Sequence, residues 1–274
     1  MTIKETIAKV APPSLLRGGK YLVDQDYRRK RSELARLKSL PRYEPTVVNF
    51  MKQPVEIPSA HSFLDMYDEI FEREVYRFVT SHSEPYIVDG GANIGLSIIY
   101  FKCLYPNSKI IAFEADPDIF PILQRNVERW GFDNVELHCC ALWSSETTLA
   151  FKSEGSYAGR VANDDEPQGK LIPAVSLKKF LERPVSFLKL DIEGAETEVL
   201  KDCASLLGNA ENIFVEYHSF PNLPQTLDQV LHLLADSGFR VHIQTYSQSP
   251  MPFIERALPY GMDMQLNIYA FRQN

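Results

Sequence analysis

From Tyr86 onward, short apolar runs that end in acids alternate with stretches of helical periodicity. The runs fall at Tyr86–Asp89 (YIVD), Lys109–Glu114 (KIIAFE), Val135–Cys140, Phe187–Asp191 (FLKLD) and Ile213–His218 (IFVEYH). Helical spacing falls at Leu96–Leu104, Asp118–Trp130, Ala195–Leu207 and Leu227–Ser237. Two more strands, Arg240–Thr245 and Leu266–Phe271, close the pattern. Strand and helix in alternation over about 190 residues predict an α/β fold, a mostly parallel sheet with helices on both faces. Upstream, SFLDMYDEIFEREVYRFVT carries apolar residues at helical spacing from Phe63 to Phe78, with Ser62 as the expected cap. A further helix is expected at Asp26–Leu40, and six prolines punctuate the first 60 residues. The expected division is therefore a helical or irregular extension over residues 1–83 and a main domain over 84–274.

Composition narrows the class. The 274 residues suffice for one large domain, or one with an appendage. No apolar run reaches the ~18–20 residues of a membrane span, and the N-terminus has no signal-type apolar block, so a cytoplasmic protein is expected. Cys103, Cys139, Cys140 and Cys203 have neither zinc spacing nor framework density; buried thiols are the expectation. The net charge of −7 conceals an asymmetry. Residues 1–42 hold 11 Lys/Arg against 4 Asp/Glu, and residues 43–274 hold 18 against 32. An acidic body is unsuited to a nucleic-acid partner. The basic run Arg28–Arg31 reads first as a solvated helix face, with contact to an anionic partner or another subunit as the other reading.

The turn in YIVDGGANIGLSIIYF carries the first candidate chemistry. A dinucleotide fingerprint fails, because Ala92 stands where a glycine is needed after Gly90. A phosphate-cradling loop fails too, since Leu96 replaces its lysine. What remains is D-x-G-x-N-x-G: Asp89, Gly91, Asn93 and Gly95. An acid at the head of such a turn is awkward for pyrophosphate and suits a cationic ligand such as S-adenosyl-L-methionine. Glu114, at the next strand end, is placed to take the two ribose hydroxyls of an adenosine cofactor. The other reading is a tight structural turn beside an exposed glutamate.

Later strand ends carry more polar groups. Asp191 ends one strand and Glu193 lies in the turn after it; Glu216 and His218 share a face of the next, with Tyr217 opposite. Together they could activate a hydroxyl, with His218 as base and Asp191 and Glu216 orienting it. A divalent metal held by Asp191, Glu216 and His218 is the less favoured reading. Helix capping is the bland alternative for Asp191 and Glu193.

With VDGGANIG, AFEADP, LKLDIEGAE and VEYH in this order, the chain resembles the FkbM-type S-adenosylmethionine-dependent methyltransferases from about Glu84 to the C-terminus. The resemblance implies a Rossmann-like sheet of seven strands, the last (LNIYAF) antiparallel, and O-methylation, often of sugar or polyketide hydroxyls. It places Asp89, Gly91 and Gly95 along the methionine part of the cofactor and Glu114 on the ribose, with Gly90, Asn93 and Ala115 also among the cofactor-binding residues. Asp116, and Ala141 or Leu142, are expected near the adenine, and Asp191 near the transferred methyl. Ala115 stands where the family usually has proline.

The expected function is methyl transfer to a hydroxyl of a sugar, glycan or other small molecule. A silent cofactor-binding scaffold, or an enzyme acting on nitrogen or another acceptor class, are the alternatives. Two segments are candidates for the acceptor side: the polar stretch Ser153–Gly169, and Ser247–Met264 with Phe253, Tyr260 and three prolines.

Overall fold

The computed structural model describes residues 25–41, 43–153, 159–161, 169–247, 249–256 and 261–272. They fall into two compact units that divide between Asp65 and Met66.

The first unit contains helix α1 (Gln25–Lys38) and a hairpin of β1 (Thr46–Phe50) and β2 (Gln53–Ile57). Glu33 ties them together. Its carboxylate accepts from the Arg36 guanidinium at 2.8 and 2.9 Å and from the Asn49 backbone N–H at 3.1 Å. The helix expected at Asp26–Leu40 is thus present. Helix α2 (Ala60–Tyr67) starts two residues before its expected cap, and it is the Ser59 hydroxyl that accepts the Ser62 N–H. The helical stripe does not run on to Phe78: it ends in a π turn over Asp68–Glu72, and Glu74 takes a left-handed φ of 53°.

In the second unit the seven strands order as β12-β13-β11-β10-β3-β4-β5. They are β3 (Tyr86–Gly90), β4 (Lys109–Glu114), β5 (Val135–Cys139), β10 (Phe187–Leu190), β11 (Asn212–Ser219), β12 (Arg240–Ser247) and β13 (Met264–Phe271). All neighbours run parallel except β13, which is antiparallel to both β11 and β12. Helices α3 (Leu96–Leu104), α4 (Phe120–Trp130), α5 (Glu196–Asp202) and α6 (Leu227–Asp236) follow β3, β4, β10 and β11. The segment expected as one helix to Leu207 breaks after α5 into turns. No described helix is long and apolar enough to cross a membrane.

The chain leaves β3 toward β4 and β5 on one side, and returns to build β10 and β11 on the other. The order reverses between β3 and β10, and such a switch point opens a crevice beyond the carboxyl ends of the strands. One face of the sheet is continuously apolar, with Val88, Leu188, Leu190, Val215 and Tyr217 packed on α5 and α6. The other face changes character along its strands. Because alternate residues share a face, β10 presents Phe187, Lys189 and then Asp191, and β11 presents Phe214, Glu216 and then His218. At the start, Phe187 stacks on Phe78 at 4.8 Å, and Phe214 meets Tyr76 edge-on at 4.9 Å. At the far end the same face is charged. That gradient, apolar floor to ionic mouth, positions the site.

Between β5 and β10 the chain adds β6 (Ala141–Trp143), β7 (Thr147–Ser153), β8 (Gly159–Val161) and β9 (Lys170–Ser176), which form a second sheet in the order β6-β9-β7-β8. Part of the stretch expected as a loop from Ser153 is therefore paired strand; residues 154–158 and 162–168 lie outside the described residues. The cysteines also differ from expectation: Cys140 and Cys203 are buried, Cys139 is partly so, and Cys103 is exposed.

Candidate active site

Asp89, Gly90, Gly91, Asn93, Gly95 and Glu114 lie together around the switch point. Asp89 is fully buried at the end of β3, where its Oδ2 accepts from the Ser97 hydroxyl at 2.5 Å. The chain then turns back on itself: the N–H groups of Gly91 and Ala92 both donate to the Phe113 carbonyl, at 3.0 and 2.9 Å. Gly91 (φ 88°), Asn93 (φ 47°) and Gly95 (φ 93°) take left-handed conformations. At Gly91 the requirement is also steric, since a Cβ there would stand 1.9 Å from the Asp191 carbonyl oxygen. Gly95 opens α3, and a Cβ on Gly90 would meet Leu142 at 2.8 Å.

Glu114 is drawn into the same turn. Its Oε2 accepts the Asn93 N–H at 2.8 Å and its Oε1 the Asp116 N–H at 2.7 Å. An ionised carboxylate offers about four acceptor directions, so both oxygens retain capacity for a diol. Asp116 accepts the Asp118 N–H at 2.8 Å, and its carbonyl takes the Phe120 N–H, which starts α4. Ala115 and Ala141 pack in the second sheet's core, and Leu142 in the main core. Any contact from these three to a ligand is consequently backbone or edge contact.

Burial lifts the Glu114 carboxyl from its ordinary 4.5 to about 7, against the two N–H groups that favour its charge. The folded chain then holds a proton that the unfolded chain releases. Stability without cofactor should fall as pH rises from about 4.5 to 7, by roughly 1–3 kcal/mol in all. Urea titrations at pH 5 and pH 8 should show this slope in the native chain and a flatter one in Glu114→Gln. An equal slope in both would remove Glu114 as its source.

Lys189 was not expected in the site, and it is the residue that joins the two halves. Paired with Asp89 in the register of β3 and β10, it is 2% exposed. Its ammonium donates to the Gly91 carbonyl at 2.7 Å and lies 3.1 Å from Asp191 and 3.4 Å from Asp89. Burial alone would lower its pKa; Asp191 and Asp89 outweigh burial and raise it. Lys189 stays charged.

Beyond it, Asp191, Glu193, Glu216 and His218 do converge. Asp191 donates its N–H to the Gly90 carbonyl at 3.1 Å. Glu193 holds a left-handed φ of 54° in the turn, which is uncommon for a side chain without a local bond to its own backbone. The His218 ring is 1% exposed, with Nδ1 2.9 Å from Glu196 Oε1 and Nε2 3.5 Å from Glu193 and 3.6 Å from Glu216. Burial opposes the ring's charge, yet Glu193 and Glu196 outweigh it and hold the pKa well above 6.5. An imidazole enclosed by three carboxylates keeps its proton, so the expectation of His218 as the free base does not fit its surroundings. It serves as a cation that gathers carboxylates.

The turn's capping carboxylate is Glu196, in place of Asp191 or Glu193. It accepts the N–H groups of Ile192 at 3.3 Å and Gly194 at 3.0 Å. Two strand neighbours complete the cluster by register. Gln265, opposite His218, donates to Glu216 at 2.5 Å; Asn267, opposite Glu216, donates to Glu69 at 3.1 Å. Glu69 comes from the π turn, and burial beside Glu216 and Asp191 lifts it to about 8. Burial raises Glu193, to about 8, and Glu216 as well, so five carboxyl groups that share protons gather about Lys189 and His218.

On the acceptor side, Phe253 and Ile254 are almost fully exposed, while Tyr260 lies outside the described residues. Within Ser153–Gly169, Gly159–Val161 pairs antiparallel with β7, which ends at Ser153.

Comparison with known proteins identifies the family. A family model, the methyltransferase FkbM domain, matches residues 89–241. Methyltransferase 1 of Beauveria bassiana (strain ARSEF 2860) is 30% identical over 50% of this chain and 65% of its own. Methyltransferase sdnD of Sordaria araneosa is 32% identical over 50% of this chain and 67% of its own. The hexuronic acid methyltransferase AglP of Haloferax volcanii is 29% identical over 54% of this chain and 63% of its own. The chain thus spans less than two thirds of the first and third of these relatives. Because the family model covers more than half of the chain, from Asp89 at the glycine turn to Val241, this protein belongs to the FkbM family of S-adenosylmethionine-dependent methyltransferases.

Proposed function

We propose that the chain transfers the methyl group of S-adenosylmethionine to a hydroxyl oxygen of a sugar, glycan or other small molecule. The observation that carries this reading is the convergence of Asp191, Glu193 and His218 at the carboxyl end of the central strands, next to the glycine turn. The turn and Glu114 would hold the adenosine and methionine parts, with Asp89 and Lys189 bracing the turn from beneath. A sulfonium and an ammonium both gain from a pocket in which carboxylates outnumber cations.

The reaction asks little covalent chemistry of the protein. The acceptor oxygen must lie in line with the methyl–sulfur bond, and its proton must leave. Positioning supplies much of the rate in such a displacement. The proton leaves by the cluster's solvent side, where Asp191 and Glu193 have side chains 24% and 21% exposed. The relative named as a hexuronic acid methyltransferase supports a sugar acceptor.

Methyl-labelled cofactor incubated with panels of free sugars, uronic acids and hydroxylated small molecules, followed by mass spectrometry and NMR, tests this. Label in an O-methyl ether is the expected result. Label on nitrogen or carbon would overturn the hydroxyl assignment.

A further inference from the structure

One donor atom each from Asp191, Glu193 and His218 lies within 4.8 Å of the other two. The three come from different places: the end of β10, the turn after it, and β11. Their mutual contacts are loose. His218 Nε2 stands 3.5 Å from Glu193 Oε2 and 3.6 Å from Glu216 Oε1, beyond the roughly 2.7–3.2 Å of a nitrogen–oxygen hydrogen bond. The atoms are arranged around a point and are not paired member to member. Bonds of about 2.1 Å to a central ion set neighbouring donors about 3 Å apart and opposite ones about 4.2 Å apart. Small shifts bring the three atoms to that spacing.

The rest of the histidine is already arranged for ligation. Its Nδ1 donates to Glu196 Oε1 at 2.9 Å, which fixes the ring and directs Nε2 at Glu193 and Glu216. A carboxylate on the second ring nitrogen is the usual support of a metal-bound histidine. The same Glu196 receives the N–H groups of Ile192 and Gly194, and so sets the turn that carries Glu193. Charge points the same way. Glu69, Asp191, Glu193, Glu196 and Glu216 gather about Lys189 and His218, and a cation on His218 Nε2 displaces the imidazolium proton there. A divalent ion offsets more of the excess.

We propose that Asp191, Glu193 and His218 bind one divalent cation of the Mn²⁺ type, with Glu196 as a positioning residue and Glu216 within reach of the same ion. Two carboxylate oxygens and one imidazole nitrogen suit that ion class. The proposal rests on the methyl-transfer function given above and deepens it. The acceptor hydroxyl takes an open position on the cation and releases its proton to solvent. The oxygen's electron pair forms the new carbon–oxygen bond as the carbon–sulfur bond breaks, the bonding pair stays on sulfur, and S-adenosylhomocysteine leaves. The favoured ligand set differs from Asp191, Glu216 and His218 by exchanging Glu216 for Glu193, whose position in the turn follows from Glu196.

Mn²⁺ added to the full, chelator-stripped chain, followed by electron paramagnetic resonance and calorimetry, tests the site without reference to turnover. One bound ion per chain is expected, with at least tenfold weaker binding in Glu193→Gln and in Asp191→Asn. Glu196→Gln should bind several-fold more weakly while remaining folded by circular dichroism. No bound Mn²⁺ in the native chain, or equal binding in Glu193→Gln and Asp191→Asn, overturns the proposal. Full methyl transfer in excess chelator overturns it too and leaves the transfer reading intact. Stoichiometric Mn²⁺ binding without transfer to any acceptor supports the cation site and counts against the transfer reading alone.

Discussion

Lys189→Met should destabilise the chain by about 3–5 kcal/mol, the cost of removing one partner from a buried ion pair. Methionine nearly matches the length of lysine, so the loss is electrostatic and not a cavity. Asp89 would remain buried with no cation near its Oδ1, and the Gly91 carbonyl would lose its 2.7 Å donor. Domains of this kind are stable by about 5–15 kcal/mol, so the change takes a large share. Urea denaturation followed by circular dichroism reads it directly. The double variant Lys189→Met with Asp89→Asn should recover part of the loss, because the stranded charge is then gone. A loss below about 1 kcal/mol in Lys189→Met would mean that solvent reaches the ammonium and that the lysine does not hold the turn.

Gly91→Ala should abolish cofactor binding and lower stability by more than 3 kcal/mol, whereas Gly131→Ala should cost only about 1 kcal/mol. Both glycines have positive φ, 88° and 60°, so both substitutions carry the conformational penalty of a left-handed residue. Only Gly91 faces a wall. A Cβ there falls 1.9 Å from the Asp191 carbonyl oxygen, which is backbone and cannot swing aside, while a Cβ on Gly131 meets nothing within 4 Å. The clash separates β3 from β10 at the point where their turns touch, and both turns carry site residues. Cofactor titration by calorimetry, with melting curves of the two variants, compares the effects. Equal costs at the two positions would show that the turns can part without loss.

Where an acid ends an apolar run, the site was legible in the sequence. Asp89, Glu114 and Asp191 each stand at such an end, and strand ends at the switch point are where an open sheet presents its ligands. The antiparallel direction of Leu266–Phe271 came with the family resemblance, whereas the shared face of Glu216 and His218 was legible because period-two alternation survives without tertiary knowledge. Lys189 was not, because a lysine inside FLKLD shows which face it takes but not that Asp89 lies beside it. That neighbour comes from the β3–β10 register. Gln265 and Asn267 are set the same way, by β13 folding back against β11. Glu69 reads as one more surface acid in DEIFERE, and its burial depends on a π turn that shifts the helix register. Glu196 sits beside two acids that looked equally able to cap α5, and backbone geometry alone decides among them. The role expected of His218 failed on environment. The carboxylate on Nδ1 comes from an element the sequence could not bring near.

A crystal structure of the chain with S-adenosylhomocysteine tests the account most directly. The ribose hydroxyls should lie on Glu114, the methionine portion along residues 89–95, and the sulfur should face Asp191, Glu193 and His218. A ligand bound away from the β3–β10 crevice, or with its sulfur turned from that cluster, would contradict the account.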